Sequence, residues 1–381
     1  MAIPAITEEF GASGWAAVAV GSSLGGAGGL VAELGWSVIG PQRVARDPAS
    51  LPRMYSVSLA SKLLAVAVVG PVVIVAAFLI SPTNNFTSSL VAAGGVLSAL
   101  GLGWIFIGAN RPYAFLLAEA LPRVVLTLLA VVGLHLGGPL WLYALSVALG
   151  STVAFVLGAI IARLPIRPRG VSGGEVADAV KTQAVVVVGR AIASLYTTLP
   201  VTLLGLVNPT QIAVFSATDR PLRMGLMVIA GVPNRLQSWI GHPDAHVGRA
   251  RSIKSIGLNS VLGVIAGGVF LTAGPIVIPI LFSGAIEPGI DLYLLGAAIV
   301  LLVCTSRGLG LALVAANRAP AITEAIAGAA VTGVAGVLIL GALFGAGGAL
   351  AAVALAEAVG VLWQIVRFRQ TGGPQFSKGT R

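Results

Sequence analysis

Five arginines, Arg123, Arg190, Arg220, Arg223 and Arg307, interrupt stretches built almost wholly of apolar side chains. A guanidinium at the centre of a bilayer costs about 2.5–3.5 kcal/mol on insertion scales, so each must face protein, water or a ligand. Arginine's planar fork suits phosphate and carboxylate oxygens, and several lining one cavity would favour an anion. Five carboxylates share the same apolar stretches: Glu33, Glu119, Asp219, Glu324 and Glu357. Glu119 with Arg123, and Asp219 with Arg223, are four residues apart and meet on one helix face, where they read equally well as neutralised structural pairs. Arg190, Arg220 and Arg307 have no local acidic partner. Glu357 lies in the middle of its stretch, placed for proton coupling or for pairing with a lone arginine, and Asp219 is a second candidate for a coupling ion.

Other chemistries find no residues to carry them. The sequence has no GxxxxGK[ST] phosphate loop and no HExxH motif. Cys304 is the single cysteine, which leaves no thiol metal site and no disulfide framework. His135, His242 and His246 lack metal-ligand spacing, since Pro243 breaks the one close pair. The sequence therefore calls for no cofactor and no metal, and it points away from an enzyme.

The elements that must position these charges are membrane helices. Of 381 residues, 57% are hydrophobic and 9% charged, against about 25% charged in a soluble domain. Eleven segments are long and apolar enough to cross a bilayer, at roughly 14–40, 57–80, 87–109, 113–135, 138–162, 180–207, 211–234, 256–281, 292–316, 321–344 and 346–367. Trp15 and Trp36 bracket the first, at a spacing that suits an aromatic belt at each interface. Lysines and arginines outside the spans, Lys62 counted with them, fall on alternate connections from Arg43 to the closing Arg381. The positive-inside rule then predicts a cytoplasmic C-terminus and an external N-terminus in the plasma membrane. The formal charge of +10 is thus topological and implies no nucleic acid.

The stretch 163–179, rich in Pro, Gly and charge, reads as a cytoplasmic linker between an N-lobe (1–162, five spans) and a C-lobe (180–368, six spans), with 369–381 as a cytoplasmic tail. Spans one and seven point the same way and share loose polarity in WAAVAVGSSLGG and QIAVFSATDRPL, which fits two parallel repeats. Gly21, Gly25 and Gly29, and Gly263 with Gly267, form small-residue faces for close helix contact. Pro71, Pro122, Pro200, Pro221, Pro275 and Pro279 should bend or break their helices. The fold class is an all-α polytopic membrane protein of about eleven helices in two lobes around a central cavity.

Three stretches then resemble polysaccharide flippases of the multidrug/oligosaccharidyl-lipid/polysaccharide exporter superfamily: GWSVIGPQRVAR (35–46), WIFIGANRPYAFLLAEALPR (104–123), and DAVKTQAVVVVGRAIASLYTTLPVTLLG (178–205) followed by VFSATDRPLR (214–223). The resemblance implies two six-helix lobes around a cationic cavity that moves a lipid-linked oligosaccharide diphosphate across the membrane by alternating access. Arg111, Arg123, Arg190 and Arg220 match the family's basic positions. It also implies that the first family helix is missing, which would account for five spans before the linker and an external N-terminus. Expected partners are the anionic lipid-linked oligosaccharide, the bilayer and other polysaccharide-assembly membrane proteins. A multidrug or organic-cation antiporter of the same superfamily is the alternative, followed by a non-transporting membrane component of polysaccharide biosynthesis.

Overall fold

The computed structural model describes residues 2–231, 236, 239–240 and 245–370. Arg235, His242 and the tail carrying Lys378 and Arg381 lie outside the described residues. Every element among the described residues is helical. The chain divides into two compact units, Met1–Ser194 and Leu195–Arg381.

The first unit holds α1 (Ala2–Ala32), α2 (Trp36–Arg46), α3 (Leu51–Ile80), α4 (Asn85–Leu97), α5 (Gly103–Gly108), α6 (Pro112–Phe115), α7 (Leu121–His135), α8 (Trp141–Ala162) and most of α9 (Gly173–Thr197). Its centre is made by omission of side chains. Gly21, Gly25 and Gly29 of α1 lie directly on α4, where a β-carbon at Gly25 would sit 2.8 Å from the Ala92 carbonyl oxygen. Gly94, on α4, presses on α8, and Ser151 Oγ donates to the Gly94 carbonyl at 2.9 Å. The small-residue face thus grips α4 between two neighbours, as close backbone approach requires.

Trp15 and Trp36 do not form the interfacial belts expected of them. They are 2% and 1% exposed, and Trp36 packs against Trp104 with ring centroids 5.4 Å apart. Their bulk fills the unit's core, where an indole contributes more buried apolar area than at a surface.

The second unit holds α10 (Pro200–Val207), α11 (Ile212–Ile229), α12 (Ala245–Leu281), α13 (Ile290–Ala315) and α14 (Ala319–Arg369). Gly263 and Gly267 of α12 meet Leu301 and Ala297 of α13. The 51 residues of α14 do not run straight. Gly345, at φ 61° and ψ −137°, folds the chain back, so Gly336 and Gly333 face Ala352 and Ala356 across a tight antiparallel hairpin. A residue with a β-carbon resists that backbone conformation, which explains why glycine stands at the break.

By length and apolarity, eight helices among the described residues are able to cross a membrane, or nine if the bent pair α9 and α10 forms one span. The expected eleven are therefore not reached by that measure. With the bent pair counted as the ninth, two features account for the remaining difference. The hairpin in α14 counts once although it contains both 321–344 and 346–367. In α11 the charges of Asp219, Arg220 and Arg223 remove it from the apolar set. Pro200 is the first residue of α10 and opens it after the bend that follows α9, whereas Pro122, the second residue of α7, directly follows the π-type turn Leu116–Ala120 inside the continuous segment Pro112–His135.

Candidate functional site

In the first unit the charges form a chain anchored by a broken helix. The span expected at 87–109 stops at Leu100 and resumes at Gly103, which frees the backbone donors between. Glu119 Oε1 accepts from Leu102 N at 2.6 Å and from Gly103 N at 2.9 Å. Its other oxygen meets Arg123 Nη2 at 2.8 Å. Glu119 reaches that position from a single π-type turn, Leu116–Ala120, just before Pro122. The orphaned Gly101 carbonyl is approached by Lys62 Nζ at 3.3 Å. A buried break of this kind requires such partners, because unpaired backbone groups in an apolar setting are costly.

Lys62 is a correction to the sequence reading, which counted it with the first cytoplasmic connection. It is 1% exposed within α3 and lies in the fields of both Glu33 and Glu119. The signal was present in the sequence: Tyr55, Ser58, Ser61 and Lys62 recur at helical spacing, and all four are buried. At the far end of the chain, Arg190 Nη1 meets Glu33 Oε2 at 3.0 Å and Ser37 Oγ at 2.9 Å. Glu33 in turn accepts from Ser37 N at 3.1 Å. Arg190 thus has a carboxylate partner, supplied from a distant part of the sequence, and Ser37 is a contributor that sequence reasoning did not single out.

The second unit assembles a separate cluster. Arg223 Nε donates to both oxygens of Asp219, at 2.9 and 2.7 Å, and Asp219 is buried. Arg307, on α13, donates to the Leu226 carbonyl oxygen at 3.0 Å. Among the described residues it forms no ion pair. Glu357 is half-buried on the second arm of α14, and lies in the fields of Arg223 and Arg307. Among the described residues Glu357 makes neither a hydrogen bond nor an ion pair. Gln364 Nε2, two turns along, donates to Ser306 Oγ at 3.0 Å and ties α14 to α13 beside Arg307. Arg220, next to Asp219 on α11, is half-buried.

The structure therefore brings Arg123 to Glu119, Arg190 to Glu33, and Asp219, Arg223, Arg307 and Glu357 into one neighbourhood. It does not gather the five arginines into a single group within either unit. Glu324 lies apart, at the surface, with Arg367 Nη2 at 2.8 Å and Trp363 Nε1 at 3.0 Å.

No family model and no curated protein matches the sequence. Solved structures do match the fold. A multidrug resistance MATE family transporter of the MOP superfamily in its inward-facing conformation aligns with a TM-score of 0.76 at 15% identity, over 99% of this chain and 95% of that one. An outward-facing conformation of a multidrug resistance MATE family transporter of the same superfamily gives 0.52 at 14% identity, over 97% of this chain and 88% of that one. A MATE in complex with MaL6 gives 0.52 at 13% identity, over 96% and 88%. At such identity the likeness is one of fold, and the chain is an all-helical, multi-pass membrane protein with the fold of the MATE transporters of the MOP superfamily.

Proposed function

We propose that this chain is a secondary transporter of the multidrug type, which binds an organic cation and exchanges it for a smaller cation by alternating access. The observation that carries this reading is the pairing of the charges. Among the described residues Arg123 is bound to Glu119, Arg190 to Glu33 and Arg223 to Asp219. Glu357 has no such partner among the described residues. A guanidinium held by its own carboxylate has little field left for an anionic cargo, and opening one of these partly exposed pairs leaves a poorly compensated charge at a cost of about 1–3 kcal/mol, below that of a fully buried pair. A half-buried carboxylate without an ion pair attracts a cation instead, and of the two arginines whose fields reach Glu357, Arg223 is already matched by Asp219. Cargo and coupling cation competing for one carboxylate is the physical requirement of exchange. The multidrug transporters named above share this fold, which supports the same choice.

The test is efflux of a fluorescent organic cation from cells or proteoliposomes. Glu357→Gln should lower the rate at least tenfold at unchanged protein level. Full efflux by that variant would remove the reading.

One observation favours the second reading, transport of a lipid-linked oligosaccharide diphosphate. Arg307 is satisfied by a backbone carbonyl, so its charge is not consumed by a carboxylate. If an anion is the cargo, Arg307→Ala should abolish surface polysaccharide while Glu357→Gln leaves organic-cation resistance unchanged.

A further inference from the structure

Away from both clusters, one end of the first unit carries a pocket of about 790 Å³. Val44 from the last turn of α2, Leu51 from the start of α3 and Phe106 from α5 give it apolar walls. Asn110 and Arg111, just beyond α5, and Arg163, just beyond α8, give it a polar rim. Among the described residues no acidic side chain lines it. Arg43, Arg46 and Asp47 line a different pocket, together with Trp36. Both Arg111 and Arg163 are exposed, and among the described residues neither forms an ion pair.

The plain alternative is that these arginines only neutralise the carboxyl ends of α5 and α8. Each helix end carries about half an elementary negative charge, while the two guanidiniums supply one full positive charge apiece. A surplus of about one positive charge remains at the rim. Arg163 adds a second argument. Its φ of 57° lies in the left-handed region, where glycine closes a helix with less strain. Stopping α8 does not itself need an arginine there.

The depth of the pocket identifies the kind of ligand. Its walls are the last turns of three segments long and apolar enough to cross a membrane, Ala2–Arg46, Asn85–Gly108 and Trp141–Ala162. Residues at span ends lie where hydrocarbon gives way to headgroups. Basic pockets between span ends are suited to phosphate headgroups, with the adjoining apolar wall in contact with glycerol ester and first methylenes. We infer that this pocket binds the singly charged phosphodiester of an anionic phospholipid in the adjoining leaflet, held by Arg111 and Arg163 with Asn110 beside them. The inference does not depend on which cargo the protein moves.

The experiment is native mass spectrometry of the full chain released from detergent, with phosphatidylglycerol, phosphatidylcholine or soluble glycerol phosphate as probe. Phosphatidylglycerol should be retained at least tenfold better than phosphatidylcholine. The double variant Arg111→Gln/Arg163→Gln should lose that preference, while Arg43→Gln, at the other pocket, keeps it. Arg163→Gly relieves the left-handed backbone, remains folded, and should show a several-fold loss even if the double variant does not fold. Equal retention of the two lipids, an unchanged preference in the variants, or glycerol phosphate displacing the lipid at equal concentration would each overturn the assignment. The last result would make a soluble phosphate the ligand.

Discussion

Arg190 and Glu33 stand 157 residues apart in the chain, yet their charged atoms meet at 3.0 Å. The pair ties α9 to the turn that follows α1, and Ser37 completes it from the start of α2. With side chains 29% and 18% exposed, both groups have lost most of their water. Removing one leaves the other charged and unmatched. Arg190→Ala should therefore destabilise the protein by about 1–3 kcal/mol, read as a lowered thermal midpoint in detergent. The double variant Glu33→Gln/Arg190→Met should be less damaged than the two single effects added together, whereas strict additivity would deny the coupling.

Glu119 is expected to matter through the backbone it serves. Glu119→Ala strips the acceptor from Leu102 N and Gly103 N, leaves Arg123 without its carboxylate and leaves Lys62 in the field of Glu33 alone. A loss of about 2–4 kcal/mol follows from unsatisfied buried donors and an unpaired cation together. Hydrogen exchange should then rise at residues 101–103 before it rises in α8. Unchanged exchange there would mean that the break is held by something else.

Two glycines sit at similar unusual dihedrals, and their surroundings differ. Gly11 has φ 61° with nothing within 4 Å of where a β-carbon would go, while at Gly345 that position is 2.9 Å from Gln211 Cγ. Gly11→Ala should cost about 1–3 kcal/mol of backbone strain. Gly345→Ala should cost more, because the side chain of Gln211 must also move. Parallel thermal melts of the two variants check the order, and equal losses would place the whole effect in the backbone.

Much of the fold was legible in the sequence because its cause is compositional. Few charges and long apolar runs demand membrane helices, and the glycine faces at 21, 25 and 29 and at 263 and 267 announced the contacts they make. The pairs Glu119 with Arg123 and Asp219 with Arg223 were legible because helical spacing is local. Arg190 looked solitary because its partner is not local. Lys62 looked peripheral because hydropathy averages over a window and loses one buried ammonium near a span's start. Trp15 and Trp36 show the converse limit, since a tryptophan's spacing does not reveal whether it faces lipid or core. The break after Leu100 left no proline to mark it, and only the position of Glu119 reveals what it requires.

The central claim is that Glu357 holds a cation in alternation while Arg123, Arg190 and Arg223 are occupied by their own carboxylates. Its most direct test is organic-cation uptake into proteoliposomes that carry the purified full chain, driven by an imposed cation gradient, for wild type, Glu357→Gln and Arg190→Lys. The account predicts uptake by wild type, uptake within a few-fold of it for Arg190→Lys, and a loss of at least tenfold for Glu357→Gln. Undiminished uptake by Glu357→Gln, or inhibition of the wild type by a lipid diphosphate at concentrations where the organic cation has no effect, would contradict it.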